Sequence, residues 1–142
     1  MIALSVDLAT LDDTAAICAL DRQILGSDGR GGEIERAIDS GTCFVARIEG
    51  ALAGYAIHDR SLFGRPFLAL LVVDSTMRRR GVGTALVRHL EAVVDGDRLF
   101  TSTNRSNAAM RRLCERLGFI ESGRIDNLDL DDPEVIYLEW LP

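Results

Sequence analysis

The chain has 142 residues, of which 47% are hydrophobic and 27% are charged, a balance typical of one globular domain. Its formal net charge of −6 at pH 7 argues against a general affinity for nucleic acid, because that binding needs a basic face. Cys18, Cys43 and Cys114 form no CxxC pair and no Cys/His cluster, so we expect neither a disulfide framework nor a metal site.

The sequence carries no evident targeting segment. No apolar run approaches the roughly 18 to 20 residues that cross a bilayer. The first ten residues lack the positive region and the small-residue cleavage site of a secretory signal. We therefore expect a single domain over residues 1–142 that is cytoplasmic and does not bind a membrane.

The first half of the chain predicts a strand, two helices and a hairpin. Leu4, Val6 and Leu8 alternate as in a strand. Thr10 has an acid three residues later, as at a helix N-terminus, and Gly26 is placed to end that helix. The predicted elements are a strand over 4–8, a helix from 10 to 26, a glycine-rich loop over 27–32, a helix over 33–39, and strands over 42–48 and 52–58 joined by a turn at 49–51.

The second half predicts strands that alternate with two helices. After a turn over 60–65, the apolar run over 67–73 suits a central strand covered on both faces. Apolar residues recur at helical spacing from Val82 through Leu86 and Leu90 to Val93 or Val94, and from Met110 to Leu117. Further strands are predicted over 99–102, 119–124 and 135–140. The order β-α-α-β-β-β-α-β-α-β-β indicates a mixed α/β sheet rather than a doubly wound one.

The most informative segment joins the apolar strand to the next helix and reads Arg78-Arg79-Arg80-Gly81-Val82-Gly83-Thr84. A helix N-terminus exposes backbone N–H groups and the positive end of the helix dipole. The two glycines remove the Cβ atoms that would keep an anion away, and the three arginines add charge. We predict an anion site suited to a diphosphate. The alternative is a solvated turn whose glycines serve only geometry.

The common nucleotide motifs do not fit this segment. A Walker A loop needs a Gly-Lys pair followed by Ser or Thr, and a dinucleotide fingerprint needs a third glycine. Residues 73–86 instead resemble the acyl-CoA signature of the GNAT N-acetyltransferase superfamily, whose spaced Arg, Gly and Gly are matched by Arg78, Gly81 and Gly83. Residues 107–119 resemble the late helix of the same family and its closing Gly-Phe, here Gly118-Phe119.

The resemblance implies an α/β (α+β) fold, a single domain with a mixed sheet of about seven strands and about four helices. It implies acetyl-CoA as co-substrate, no metal, and direct acetyl transfer to a primary amine of a small molecule or protein. The backbone of Leu71, Val72 and Val73 would pair with the pantetheine arm, and the amides of residues 78–84 would hold the pyrophosphate. Asn107 would bond the pantetheine or thioester region, or it only caps a helix; Asn104 is a neighbouring candidate.

The catalytic groups are less well defined. Cys114 stands where many family members have a Tyr that serves as general acid. Either its thiol takes that role, or Cys114 is a small buried hydrophobe and water supplies the proton. Family members also often carry a Glu on the strand matching 67–73, which this chain lacks. The remaining candidates for the base are a water chain or one of Glu33, Glu35, His58, Asp59 and Asp74.

The acceptor is the least constrained part. The late acidic run is either a solvated loop or a rim that attracts a cationic amine, and it contains Asp126, Asp129, Asp131, Asp132 and Glu134. The missing Tyr and Glu leave open a non-catalytic acyl-CoA sensor, and phosphate binding unrelated to CoA is a third possibility. Because final strands in this family often pair between subunits, a homodimer is also possible.

Overall fold

The computed structural model describes residues 3–26 and 29–142. Met1 and Ile2 of the N-terminal segment, and Ser27 and Asp28 of the predicted glycine-rich loop, lie outside the described residues. The elements are β1 (Leu4–Leu8), α1 (Thr14–Leu25), α2 (Gly31–Asp39), β2 (Cys43–Ile48), β3 (Ala51–Leu62), β4 (Arg65–Val73), α3 (Val82–Val93), β5 (Arg98–Asn104), α4 (Ala108–Arg116), β6 (Ile120–Ile125) and β7 (Glu134–Trp140). Their order is the predicted one.

The seven strands form one sheet in the order β1-β2-β3-β4-β5-β7-β6. The pair β4–β5 is parallel, whereas β1–β2, β2–β3, β5–β7 and β6–β7 are antiparallel. The predicted mixed sheet is therefore confirmed, with β4 at its centre. None of the helices within the described ranges is long and apolar enough to cross a membrane.

The chain divides into two compact units, and the first comprises residues 1–58 and 70–92. On one face of its strands, α1 and α2 bury an apolar core. Ile17 and Leu20 of α1 belong to it, whereas Ile24, which continues their helical spacing, is exposed. The buried cluster contains Ala9, Ile17, Leu20, Ile34, Ala37, Ile38, Cys43, Val45, Tyr55, Ile57 and Val72.

Helix α3 also belongs to this first unit, and it buries Val82, Leu86, Val87 and Leu90. Successive residues of a strand point to opposite faces of the sheet. The residues that alternate along a strand with members of the α1–α2 cluster therefore point to the other face. Phe44 is one of them, and its ring meets His89 of α3 edge-on at 4.6 Å between centroids. The helix is thus anchored from Val82 to Leu90. Val93 at its end is exposed and Val94 is half-buried, so the predicted apolar stripe does not reach its last turn.

The second unit comprises residues 59–69 and 93–142. Alternate residues of β5 and β7 are buried, with Thr101 directly opposite Tyr137 in the antiparallel register. The Thr101 hydroxyl donates to the Leu68 carbonyl at 2.9 Å, which satisfies a buried polar pair. From α4, Cys114 is buried.

Several predicted boundaries were wrong. Strand β3 continues to Leu62, so the turn predicted over 60–65 contracts to Phe63 and Gly64, both left-handed with φ of 52° and 73°. Polar residues at 59–61 suggested a loop, but a strand end tolerates them because Arg60 donates to the Gly64 carbonyl at 3.1 Å. Strand β5 likewise runs to Asn104 instead of residue 102.

Gly54 allows β3 to pack closely against the end of β4 and the start of α3, which the sequence did not predict. A Cβ there would lie 2.6 Å from the Val72 carbonyl oxygen, 3.0 Å from Val82 Cγ1 and 3.4 Å from the Val73 Cα. Because two of those atoms are backbone, the end of β4 would have to move. Gly54 therefore fixes how closely β3 can pack against both the end of β4 and the start of α3.

We predict that Gly54→Ala lowers the free energy of unfolding by about 1–3 kcal/mol through overpacking. Urea denaturation measures this change. The control is Gly31→Ala at the start of α2, where an added Cβ meets no atom within 4 Å, so no loss is expected. Wild-type stability in a folded Gly54→Ala protein would contradict the close approach.

Candidate functional site

The connection from β4 to α3 begins with a capped turn. Asp74 accepts hydrogen bonds from the Thr76 N–H at 2.9 Å and the Thr76 hydroxyl at 2.7 Å. Its own N–H donates to the Ala53 carbonyl at 2.8 Å, which ties the turn to β3. The hydrogen bonds from Thr76 hold the pKa of the Asp74 carboxyl below its usual range. Asp74 is therefore a weak base that organises the turn.

Two residues with left-handed backbone conformation then lead the chain into α3. Arg79 has φ of 65° and Gly81 has φ of 80°, a region that glycine adopts without strain. The Gly81 carbonyl accepts the first helical hydrogen bond, from Ala85 N–H at 2.9 Å. The N–H groups of Val82, Gly83 and Thr84 therefore belong to the first turn of the helix, where no intrahelical acceptor exists.

The arginines of this turn supply the charge. Arg78, Arg79 and Arg80 are all exposed. Within the ranges 3–26 and 29–142, none of the three forms an ion pair. Space for an anion is also present, because a Cβ on Gly81 would meet no atom within 4 Å. The turn thus combines free N–H donors, positive charge and open space, which together suit a diphosphate.

The three residues predicted to line the pantetheine arm end β4 just before this turn. Val72 is buried, whereas Leu71 and Val73 are only half-buried. The face of β4 that includes Val72 is buried, as predicted. The opposite face, which includes Leu71 and Val73, is only partly covered. These three residues lie next to Asp74 and Gly54, and so belong to the segment that β3 holds in place. Their role in binding the pantetheine arm stays a prediction.

The second unit holds Asn107 and Asn104. Asn107 is the N-cap of α4, and its side-chain oxygen accepts from the Met110 N–H at 3.1 Å. The capping role is thus confirmed, and a role in binding stays a prediction. Asn104 donates to Asp129 Oδ2 at 2.8 Å and to the Asp132 carbonyl at 3.2 Å. Its amide holds the acidic loop.

Cys114 also lies in the second unit, on α4, and its residue surface is only 2% exposed. Burial raises the pKa of the Cys114 thiol to about 12. A group with that pKa is a poor proton donor to a departing thiolate, whose ordinary pKa is about 8.5. The structure therefore favours the packing interpretation of Cys114 over the general-acid interpretation.

Two of the other candidates for the base have evident structural duties. The Asp59 carboxylate accepts from the Ser61 N–H at 2.9 Å and from the Ser61 hydroxyl at 2.7 Å. His58 stacks on Phe44 with ring centroids 5.5 Å apart. Glu33 and Glu35 are exposed on α2. These contacts single out none of the candidates as the base.

The late acidic run is partly a structural loop. Asp132 accepts from the Ser106 N–H at 3.1 Å and from the Ser106 hydroxyl at 2.6 Å, and Asp126 pairs with Arg124 at 3.3 Å. Leu128 and Leu130 are exposed within it. Some of the carboxylates thus stabilise the loop by local hydrogen bonds and ion pairs. Attraction of a cationic acceptor by this loop stays a prediction.

A model of the Acetyltransferase (GNAT) family matches residues 15–119. The chain belongs to the GNAT family. The matched range includes the end of β4, the arginine turn and α4 with its closing Gly118-Phe119. The family resemblance predicted from the two motifs is confirmed.

Individual relatives agree with this membership. A GNAT-family acetyltransferase of known structure from Bacillus cereus is 33% identical, with a TM-score of 0.95 and 99% of each chain covered. N-alpha-acetyltransferase 30 of Xenopus laevis is 33% identical over 107 residues, which are 70% of this chain and 39% of that protein. The structure of YncA from Salmonella typhimurium with its cofactor acetyl-CoA is 18% identical, with a TM-score of 0.80, and the match covers 99% of this chain and 95% of that chain.

The seven-stranded sheet and the four α-helices of the described residues are thus those of the GNAT fold. Sequence reasoning placed the arginine turn correctly but missed two of its supports. The Asp74 cap had a signal, because Asp followed two residues later by Thr is typical of a turn in which the carboxylate accepts the Thr76 N–H. Gly54 had no comparable signal, since its neighbours Val72 and Val82 are distant in sequence.

We predict that Gly83→Val weakens CoA binding at least about tenfold, because a branched side chain would block the approach of the diphosphate to the first-turn amides. The measurement is CoA-dependent stabilisation against unfolding. CoA at a hundredfold excess over its dissociation constant should stabilise the wild type by about 2.7 kcal/mol. A tenfold weaker variant should gain about 1.4 kcal/mol at the same CoA concentration.

The control for this variant is Ala92→Val, which places the same branched side chain at an exposed position in the last turn of α3. It should retain the wild-type stabilisation by CoA. Unchanged CoA affinity in a folded Gly83→Val protein would refute the assignment of the turn to the diphosphate.

Proposed function

We propose that this protein is an acetyl-CoA-dependent N-acetyltransferase that transfers the acetyl group directly to a primary amine. The observation that carries the proposal is the start of α3. Three exposed arginines directly precede its first-turn N–H groups and form no ion pair among the described residues, and a Cβ on Gly81 would meet no atom within 4 Å. Membership of an acetyltransferase family supports the identity of the anion as the diphosphate of acetyl-CoA.

The residues that would hold acetyl-CoA form one continuous segment. The amides and side chains of residues 78–84 would hold the diphosphate, and the backbone of Leu71, Val72 and Val73 would pair with the pantetheine arm as an added strand does. Acetyl-CoA supplies an acyl group activated as a thioester. The backbone N–H near Val73 is then suited to stabilise the oxyanion that develops on the attacked carbonyl.

Transfer without a covalent enzyme intermediate is supported by the state of two cysteines. Burial raises the pKa of the Cys43 thiol to about 12, with the Asp13 carboxylate as a further cause, and burial raises that of Cys114 equally. Because the thiolate is the nucleophile, such thiols are poor acyl acceptors at neutral pH. The acceptor amine therefore attacks directly, and solvent returns a proton to the leaving thiolate.

The acceptor belongs to the class of primary amines. The relative from Xenopus laevis is named as an N-alpha-acetyltransferase, and a Pseudomonas phage relative that is 30% identical over 90 residues is named 5-NmdU N-acetyltransferase. This chain spans 39% of the first of these proteins and 64% of the second. Both relatives are thus named as N-acetyltransferases, which supports an amine as the acceptor.

The test is incubation of the protein with acetyl-CoA and a panel of primary amines, with release of the CoA thiol as the readout. We expect amine-dependent thiol release for at least one amine. Stabilisation by CoA without any release across a broad panel would contradict the enzyme and favour the acyl-CoA sensor. Absence of both stabilisation and release would favour phosphate binding unrelated to CoA.

Cys114→Ala, assayed with the same amine, tests the proton path. If the thiol only packs, the rate at pH 7 should stay within about twofold of the wild type. If the thiol were the general acid, the rate should fall about 100-fold or more, the usual contribution of such a group. Circular dichroism checks that the variant is folded.

A further inference from the structure

Strand β6 is the outermost strand of the sheet in the second unit. It pairs with β7 on one side, and no other strand among the described residues pairs with its outer side. All six of its residues are exposed, and Ile120 and Ile125 at its two ends are 56% and 43% exposed. An edge strand presents a row of unpaired backbone N–H and C=O groups. The outer side of β6 is therefore open to pairing with another strand.

A β-bulge distributes the side chains of β6 between the two faces of the sheet. The register with β7 shifts at Ser122, which is the extra residue of the bulge. In a regular strand, residues that are three or five apart point to opposite faces. Because of the extra residue, Ile120 and Ile125 instead point to the same face. Glu121 and Arg124 point together to the other face.

The face with the two isoleucines stays apolar on the neighbouring strand. Leu138 lies directly opposite Ile120, and Ile136 lies opposite Gly123 in the middle of β6. Both residues of β7 are only half-buried. A strand that paired with β6 would therefore cover isoleucine side chains at the margin of an apolar surface, and burial of such surface favours association.

The other face of β6 carries one charge of each sign. The Glu121 carboxylate pairs with Arg111 at 3.2 Å, and the Arg124 guanidinium pairs with Asp126 at 3.3 Å. The side chains of Glu121 and Arg124 are 57% and 58% exposed. Exposed ion pairs of this kind contribute little to stability. Both charges can therefore take a partner on another molecule at small cost.

We propose that β6 pairs with β6 of a second copy of this chain, antiparallel and about a two-fold axis at the middle of the strand. In this register, Ile120 of one copy lies opposite Ile125 of the other, and Glu121 lies opposite Arg124. The two-fold axis makes each of these pairs occur twice. Apolar pairs and pairs of opposite charge, directly opposite each other, both stabilise antiparallel strands.

The alternative is that β6 is a protected edge, because bulges and charged side chains also keep edge strands from associating. Its pattern argues for pairing, since the two charges have opposite signs and stand at positions that meet in an antiparallel pair. A shift of the register by two residues in either direction would separate Glu121 from Arg124. The same six residues thus favour one register, and the partner that matches them is another copy of themselves.

Sedimentation equilibrium of the whole chain tests the proposal. We expect a monomer–dimer equilibrium within about 1 to about 500 μM, since one strand from each copy is a small interface. Glu121→Arg should raise the dissociation constant at least about tenfold, because it places arginines opposite each other twice. Arg124→Glu should do the same with glutamates. The control is Asp39→Arg, an exposed charge reversal at the end of α2, which should dimerise like the wild type.

A mixture of the two variants gives the sharpest result. One copy then has two arginines on β6 and the other has two glutamates, so every charge meets its opposite across the interface. We expect the equal mixture of Glu121→Arg and Arg124→Glu to associate about as tightly as the wild type, although each variant alone does not. The double variant, which exchanges the two charges within one chain, should dimerise for the same reason.

Three results would overturn the proposal. The first is a wild-type chain that stays monomeric over the whole concentration range. The second is dimerisation of the single variants with wild-type affinity, which would place the interface elsewhere. The third is a mixture that stays monomeric although circular dichroism shows both variants to be folded. Because no acetyl-CoA or amine is present, these failures are distinct from failure of the proposed acetyltransferase activity.

Discussion

The unsatisfied N–H groups in the first turn of α3 are the constraint on which the candidate site depends. Every helix has such groups, and they become an anion site only where the surrounding chain keeps them accessible and rigid. Here accessibility comes from Gly81, where an added Cβ would meet no atom within 4 Å. Rigidity comes from the helix itself, since Val82 and Leu86 are buried and fix its first turns on the sheet.

The segment before α3 is rigid for separate reasons. Asp74 closes a short turn on Thr76 and at the same time bonds β3 through its N–H. Gly54 lets β3 lie against the Val72 carbonyl, where any side chain would collide. The end of β4 and the beginning of α3 are thus held by the same strand, so a ligand that contacts both would meet a preorganised surface and lose little entropy on binding.

The network around Asp21 applies the same physical chemistry away from the turn. Burying a carboxylate costs several kcal/mol unless it is paired and hydrogen-bonded, and Arg30 and Tyr55 provide that compensation. The three residues come from α1, the start of α2 and β3. The network therefore specifies how the two helices meet the sheet.

Local signals predicted the element order and the turn, because each depends on residues close in sequence. Asn107 as a helix cap and Gly26 as a helix end are of this kind, and the structure confirms both. The end of β3 and the Gly54 approach depend on contacts with distant residues, so periodicity could not predict them. Cys114 is an intermediate case: its helical stripe indicated burial, but only the structure gives the raised pKa that follows from it.

The central claim is that the start of α3 binds a diphosphate. The most direct test is calorimetric titration with dephospho-CoA, which keeps the diphosphate, and with pantetheine, which lacks it, at two salt concentrations. The account predicts that dephospho-CoA binds at least about tenfold more tightly and loses affinity with added salt, as charge-assisted contacts do, whereas pantetheine is insensitive to salt. Equal affinities with equal salt dependence would contradict it.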